Sequence, residues 1–188
     1  GVPAGRLDPA QRRELGLGFV PEERLGRGAV PEMSLAENAL LTAHGAGLAR
    51  GGFIRFDAMR GVAQQIIAAY RVKAGGPQAV ARSLSGGNLQ KFIVGREIRL
   101  APKVLIAAQP TWGVDVGAAA QVRQALIDLA GAGVAVLVVS EELDELFEIC
   151  DRLAVIAQGR LSTAKPIADT DAAEVGLLMS GSFVAGGA

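Results

Sequence analysis

Ser83-Leu84-Ser85-Gly86-Gly87-Asn88-Leu89-Gln90-Lys91 (SLSGGNLQK) stands between a segment containing glycine and proline and a run of helix-forming residues. Glycines let a backbone approach a ligand closely. The first N–H groups of a helix have no internal partner, and the helix dipole favours an anion at that end. The nine residues therefore admit two readings: Ser85, Gly86 and Gly87 form a phosphate seat, or they are an ordinary Ser-capped helix start after a turn. The flanking sequence bears on the choice.

Downstream, Val104–Ala108 (VLIAA) is a continuous apolar run of the kind found in strands buried on both faces. A helix is expected from about Ala118 to Ala130, with Val122, Leu126 and Leu129 on one face. Val134–Val139 reads as a second buried strand, EELDELFEIC as a second amphipathic helix, and Leu153–Ala157 as a third strand ending at Gln158-Gly159. Strand, helix, strand, helix, strand predicts parallel βαβ units with right-handed crossovers, hence an α/β fold. A short helix is expected in DAAEVGLLM. Upstream, Leu15–Val20 (LGLGFV) predicts a strand stopped by Pro21 and followed by a loop rich in turn formers. Ser34, with Glu37 three residues on, has the form of a capping box and opens an α-helical part that runs to about Arg99. GAGLARGGF and KAGGPQ break it.

Composition narrows the function classes. At 188 residues, 50% hydrophobic and 20% charged, the chain can bury a sizeable core as one domain or as a domain with a subdomain. Its 19 basic and 19 acidic residues balance, and the basic ones are scattered, so no nucleic-acid partner is expected. One cysteine, Cys150, excludes an internal disulfide and fits a reducing compartment. The longest strongly apolar run, Val134–Val139, is far short of the roughly 20 residues that span a bilayer. The opening residues, GVPAGRLDPAQRREL, lack the pattern of a signal peptide and do not read as a natural N-terminus, so the chain is expected to be a fragment.

LSGGNLQK, followed by a buried strand, QPTWGVDVGA and a second strand ending VVSEELDEL, closely resembles the ABC-transporter ATPase family. GFVPEERLGRGAV and MSLAENALL are similar to the segment before the helical subdomain in the second ATPase half of duplicated simple-sugar and nucleoside importers. The resemblance implies a partial P-loop NTPase core of parallel βαβ units plus an α-helical subdomain. It identifies Ser85-Gly86-Gly87 with the signature motif. Leu84, Ser85, Gly86, Gly87 and Asn88 would then bind the γ-phosphate of ATP held by the opposite half. Val104–Gln109 matches the Walker B strand, Asp115 the D-loop, Glu22 the Q-loop glutamine position and Glu141 the switch-histidine position.

The departures from that pattern carry information. The family ends Walker B with Asp-Glu, where the Asp helps hold Mg²⁺ and the Glu polarises the attacking water; this chain has Ala108 and Gln109. Neither carries negative charge, so this half is expected to be catalytically degenerate and to hold no metal of its own. Trp112 replaces an expected arginine. The P-loop, G-x-x-x-x-G-K-[ST], is absent: Lys73, Lys91, Lys103 and Lys165 are followed by Ala74, Phe92, Val104 and Pro166. The expectation is that the chain begins after it. In the family the two halves stack head to tail, so this half would serve its partner's ATP, with Mg²⁺ held mainly by the partner half.

The resemblance further implies that the partner half belongs to the same polypeptide, that transmembrane permease subunits contact the ATPase, and that an extracytoplasmic solute-binding protein acts indirectly. The location implied is peripheral, on the cytoplasmic face of the cell membrane. Four segments are expected: residues 1–33 with the first strand and Q-loop-like segment, 34–99 as the helical subdomain, 100–165 as the degenerate ATPase core, and 166–188 as a tail. His44 is read as a surface residue and Cys150 as packing. Glu141, Glu142, Asp144 and Glu145 are read as complements to a helix dipole rather than metal ligands. Arg24 and Arg27 are placed on a solvated loop that can meet a permease. Two other classes stay open: a non-transport ABC protein, and a structural or regulatory domain without nucleotide contact.

Overall fold

A computed structural model describes residues 4–43 and 47–181; His44 lies outside them. The chain forms two compact units, 1–139 and 140–188.

In the first unit, Asp8 accepts from the Gln11 N–H at 2.8 Å and Gln11 returns a bond to the Asp8 N–H, opening α1 (Pro9–Glu14) with proline at its first position. This helix was not anticipated, although Asp8-Pro9 with Gln11 is its signature. Strand β1 (Leu17–Val20) follows. Helix α2 (Leu35–Thr42) starts on the expected box, with Ser34 and Glu37 bonded reciprocally. The break after it contains a short antiparallel pair, β2 (Ala49–Arg50) and β3 (Phe53–Ile54), before α3 (Phe56–Ala69). Helix α4 (Gly86–Arg99) begins at the first glycine of SGG.

Leu35, Ala36 and Ala39 of α2, Met59, Ala63, Ile66 and Ile67 of α3, and Phe92 of α4 share one apolar cluster. Fully burying a large aliphatic or aromatic side chain contributes about 1.5–3 kcal/mol, so this cluster fixes α4 against the other two helices.

Strands β4 (Val104–Ala108) and β5 (Ala135–Val139), joined by α5 (Val116–Gly131), make the expected parallel βαβ unit. Strand β1 joins the far side of β4, also parallel, giving the order β1-β4-β5 with Val20 opposite Ala107 and Ala107 opposite Val138. The expectation of strands buried on both faces fails. Val20, Leu105 and Ala107 are fully buried on one face, while Phe19, Val104, Leu137 and Val139 on the other are 39–54% exposed. Helix α4 touches β1, α5 touches β5, and the two helices touch each other, so they pack on the same, buried face; α1 also contacts β1.

The second unit holds α6 (Leu143–Ile149), four two-residue strands and α7 (Ala172–Met179), the last as expected. The single strand expected over Leu153–Ala157 is a correction. Strand β6 (Arg152–Leu153) pairs antiparallel with β9 (Lys165–Pro166), and β7 (Ile156–Ala157) pairs antiparallel with β8 (Arg160–Leu161). Gln158 and Gly159 both have positive φ, 51° and 73°. That conformation makes the two-residue hairpin turn whose twist suits flanking strands, so the chain folds back where a parallel strand would have run on. Leu153, Val155 and Val175 form this unit's own core, with Leu143, Leu146 and Phe147 packed on it.

Candidate functional site

Because β1, β4 and β5 are parallel, their carboxyl ends lie along one edge of the sheet, the edge outside which ligands bind in open α/β sheets. The loop after β1 carries Glu22 and Arg24, the loop after β4 runs from Gln109 to Asp115, and the start of α4 comes beside the latter.

At the start of α4, Ser85 is the N-cap in extended conformation but makes no side-chain cap bond. Its Oγ instead accepts from Asn88 Nδ2 at 2.8 Å, which leaves the hydroxyl proton to donate elsewhere. Asn88 Oδ1 accepts from the Lys73 N–H, also at 2.8 Å, so Asn88 ties this turn to the loop after α3. Gly86 is exposed and has open space: a Cβ there would find no atom nearer than 3.6 Å, the closest being the Arg24 guanidinium and the Gly113 carbonyl. Gly87 is the opposite case. It is buried, and a Cβ would sit 2.8 Å from both Ala118 Cβ and Asp115 Oδ2. Only glycine lets α4 approach α5 here. Leu84 is half-buried against the helical cluster.

Asp115 is exposed and caps α5, its Oδ1 accepting from the Ala118 N–H at 2.9 Å. Lys91, in α4, donates to the Arg71 carbonyl at 2.8 Å. Burial pushes its ammonium pKa down, the Asp115 carboxylate pushes it up and Lys73 pushes it down again. At the helix start itself the charged neighbours are the Arg24 guanidinium beside Gly86 and the Asp115 carboxylate beside Gly87.

Ala108 ends β4, half-buried, and Gln109 follows with φ 48°, donating its N–H to the Val139 carbonyl at 2.7 Å. A non-glycine residue in this region is uncommon and costs about 1–3 kcal/mol. The hydrogen bond across to β5 holds it there. The structure therefore brings Ser85, Gly86, Gly87 and Asp115 together, sets Ala108 and Gln109 at the strand end just before Asp115's loop, and leaves Glu22 exposed on the loop after β1. Glu141 belongs to the second unit, where it is exposed ahead of α6. In that helix Asp144 and Glu145 lie in the first turn, as a dipole complement requires, but Glu145 is buried. Cys150 is half-buried, and burial raises its thiol pKa, helped by Glu145 and Asp151.

Two residues were misplaced or missed by sequence reasoning. Arg24 is not simply solvated: it is half-buried, and its Nη1 donates to the Trp112 carbonyl at 2.6 Å. Gln90, fully buried in α4, donates to the Pro110 carbonyl at 2.8 Å. Arg27 does lie on the surface, paired with Glu23 at 3.0 Å. It borders a groove of about 300 Å³ lined also by Phe19, Val30, Leu41, Arg13 and Arg96. Beneath the groove, fully buried Glu97 pairs with Arg13 at 2.9 Å and with Arg96 at 3.1 Å, leaving one net positive charge on the trio.

No carboxylate occupies the end of β4, so the residues there do not fit a divalent cation. Among the described residues no group of three or more His, Cys, Asp or Glu could hold a metal, and no helix is long and apolar enough to cross a membrane.

The fold is that of ATP-binding cassettes. The chain superposes on the dimeric structure of a post-hydrolysis state of the ATP-binding cassette MJ0796 bound to ADP and Pi with a TM-score of 0.72 at 20% identity, covering 88% of this chain and 70% of that one. A second dimeric structure of MJ0796, a bacterial ABC transporter cassette, gives 0.69 at 20% identity, with 86% and 68% covered. No family model matches the sequence. Curated relatives do. The chain is 41% identical to the guanosine import ATP-binding protein NupO of Bacillus subtilis over 94% of its length and 35% of that protein's. To the nucleoside import ATP-binding protein NupA of Lactococcus lactis it is 40% identical over 92% and 34%. To the ribose import ATP-binding protein RbsA of Chelativorans it is 40% identical over 82% and 30%. The chain belongs to the ABC-transporter ATP-binding proteins. It spans about a third of the length of the curated relatives it matches.

Proposed function

We propose that this chain is part of the ATP-binding subunit of an importer for a nucleoside or a simple sugar, and that it presents Leu84–Asn88 to ATP held by a second ATPase half. The observation that carries the reading is the start of α4. The turn is exposed at Gly86 and uncapped by any side chain, and Ser85 keeps a hydroxyl proton to give. N–H groups and a dipole aimed at one point stabilise phosphate oxygens there without reorganising, which is how such a seat assists phosphoryl transfer. ATP brings the reactive phosphoanhydride; the part of this chain is to bind and orient it.

The same reading assigns the chain a degenerate site of its own. Ala108 and Gln109 supply no charge for Mg²⁺ and no base for water, so Mg²⁺ and hydrolysis belong to the partner half. Asp115 locks the loop before α5 through its cap, and Glu22 and Glu141 stand where the family has the Q-loop glutamine and the switch histidine. Permease subunits are the membrane partners we assign, and a solute-binding protein acts through them from the far side of the membrane. The ATPase itself then lies on the cytoplasmic face.

The isolated chain should bind ATP weakly and hydrolyse none. Magnesium-dependent phosphate release from the purified chain, above that of a Ser85→Ala, Gly86→Asp control, overturns the assignment.

A further inference from the structure

The geometry points to Arg24 as a positioning residue that holds the Trp112–Asp115 loop against the signature turn, and the inference rests on the reading that this turn meets ATP. The Arg24 backbone is itself fixed. Its carbonyl accepts from the Ala29 N–H at 2.7 Å, the Gly28 N–H bonds to the Glu23 carbonyl at 2.9 Å, and the Gly26 N–H bonds to the Ala29 carbonyl at 2.8 Å. Gly28 makes this closed loop possible, since a Cβ there would lie 2.9 Å from both the Arg24 carbonyl and Ile93 Cδ1 of α4. From that base the guanidinium reaches across 88 positions of sequence to the Trp112 carbonyl. Its Nη2 then lies 3.4 Å from the Cβ position of Gly113 and 3.6 Å from that of Gly86.

Among the described residues Arg24 forms no ion pair. A cation set unpaired beside the positive end of a helix is locally unfavourable, so its place is not explained by charge pairing. What it does there is mechanical. Arg24 fastens Trp112 from one side, Gln90 fastens Pro110 from the other, and Asp115 at the end of the strapped loop touches Gly87. Three elements remote in sequence are thereby held in one geometry: the loop after β1, the loop after β4 and the start of α4. Releasing Arg24 frees the loop that backs the phosphate seat.

The test uses the full-length ATPase that contains this chain, assembled with its permease. Steady-state ATPase of Arg24→Ala should show the KM for ATP raised about tenfold with kcat within about twofold, the size expected for losing one charge-assisted hydrogen bond that orients the seat. Arg24→Lys, which keeps a cationic donor on a flexible stem, should recover most of the loss. A purely structural role instead lowers the melting temperature of both variants and leaves KM alone, and an unchanged KM in a folded Arg24→Ala overturns the inference. Gly86→Asp in the same assay separates the two levels. If it weakens ATP use while Arg24→Ala does not, only the role of Arg24 falls; if it has no effect, the reading of the turn falls and the Arg24 inference with it.

Discussion

Gly86→Asp places a carboxylate at the first position of α4, and the structure gives opposite signs for folding and for function. Gly86 lies outside the positive-φ region, and the nearest atoms to a Cβ are 3.6 Å away, so no strain or clash results. An acidic residue in a first helical turn stabilises by about 0.3–1 kcal/mol. The Arg24 guanidinium at that distance adds an exposed pair worth about 0.2–1 kcal/mol. The protein should therefore melt at the wild-type temperature or a few degrees above it. Against ATP the sum reverses. Two unit charges about 4 Å apart at an effective dielectric of about 20 repel by about 4 kcal/mol, close to a thousandfold in affinity. The experiment is solute uptake and ATPase of the full-length protein beside a thermal melt, variant against wild type. Wild-type uptake with Gly86→Asp refutes the phosphate seat. A variant that loses uptake because it unfolds refutes the structural account of Gly86 as a free position.

Other substitutions have distinct expectations. Gly87→Ala should destabilise by about 2–4 kcal/mol in urea melts, because its Cβ collides with Ala118 and with the carboxylate that caps α5; a neutral Gly87→Ala would contradict the packing described. Gly95→Ala should cost about 1–3 kcal/mol, since its Cβ falls within 2.9 Å of the Tyr70 ring. Glu97→Gln, by leaving buried Arg96 without its counter-ion, should cost about 3–5 kcal/mol, whereas an unchanged melt would show the trio to be dispensable. Ser34 holds the Glu37 carboxyl below the usual carboxylate range through side-chain and backbone hydrogen bonds. The resulting stability is present above the unfolded pKa and is lost as pH falls through the folded one, so Glu37→Gln should flatten the acid limb of the stability profile. Gln109→Glu in the full-length protein should change turnover less than about tenfold, because Ala108 still leaves a metal unsupported.

What was legible in the sequence was what depends on near neighbours. The apolar runs at Val104–Ala108 and Val134–Val139 with an amphipathic helix between them define a βαβ unit whatever surrounds it, and Ser34 with Glu37 caps a helix from three residues away. Asp8 with Gln11 is an equally local signal, a capping box with proline at the first helical position. The misreading at Leu153–Ala157 was of another kind, because apolar residues suit a parallel strand and a hairpin arm alike. The decision lay in positive φ at Gln158, a residue with no special preference for it.

The candidate site divides along the same line. That SGG starts a helix follows from composition, but the two glycines do different work, and the difference comes from tertiary neighbours. Gly87 is required by Ala118 and Asp115, while Gly86 is left open. Arg24 shows the limit most clearly. In sequence it is one arginine in a charged, turn-rich loop, and a solvated surface is the natural place for it. Its role is set by a carbonyl 88 positions away that offers itself only after β1 and β4 have paired and brought their following loops to one edge. A backbone acceptor carries no side-chain identity, so nothing in the residue type at Trp112 announces the bond. Contacts of this class become visible only once parallel pairing has fixed which loops are neighbours, and they are where residues that position a site without touching its ligand should be sought.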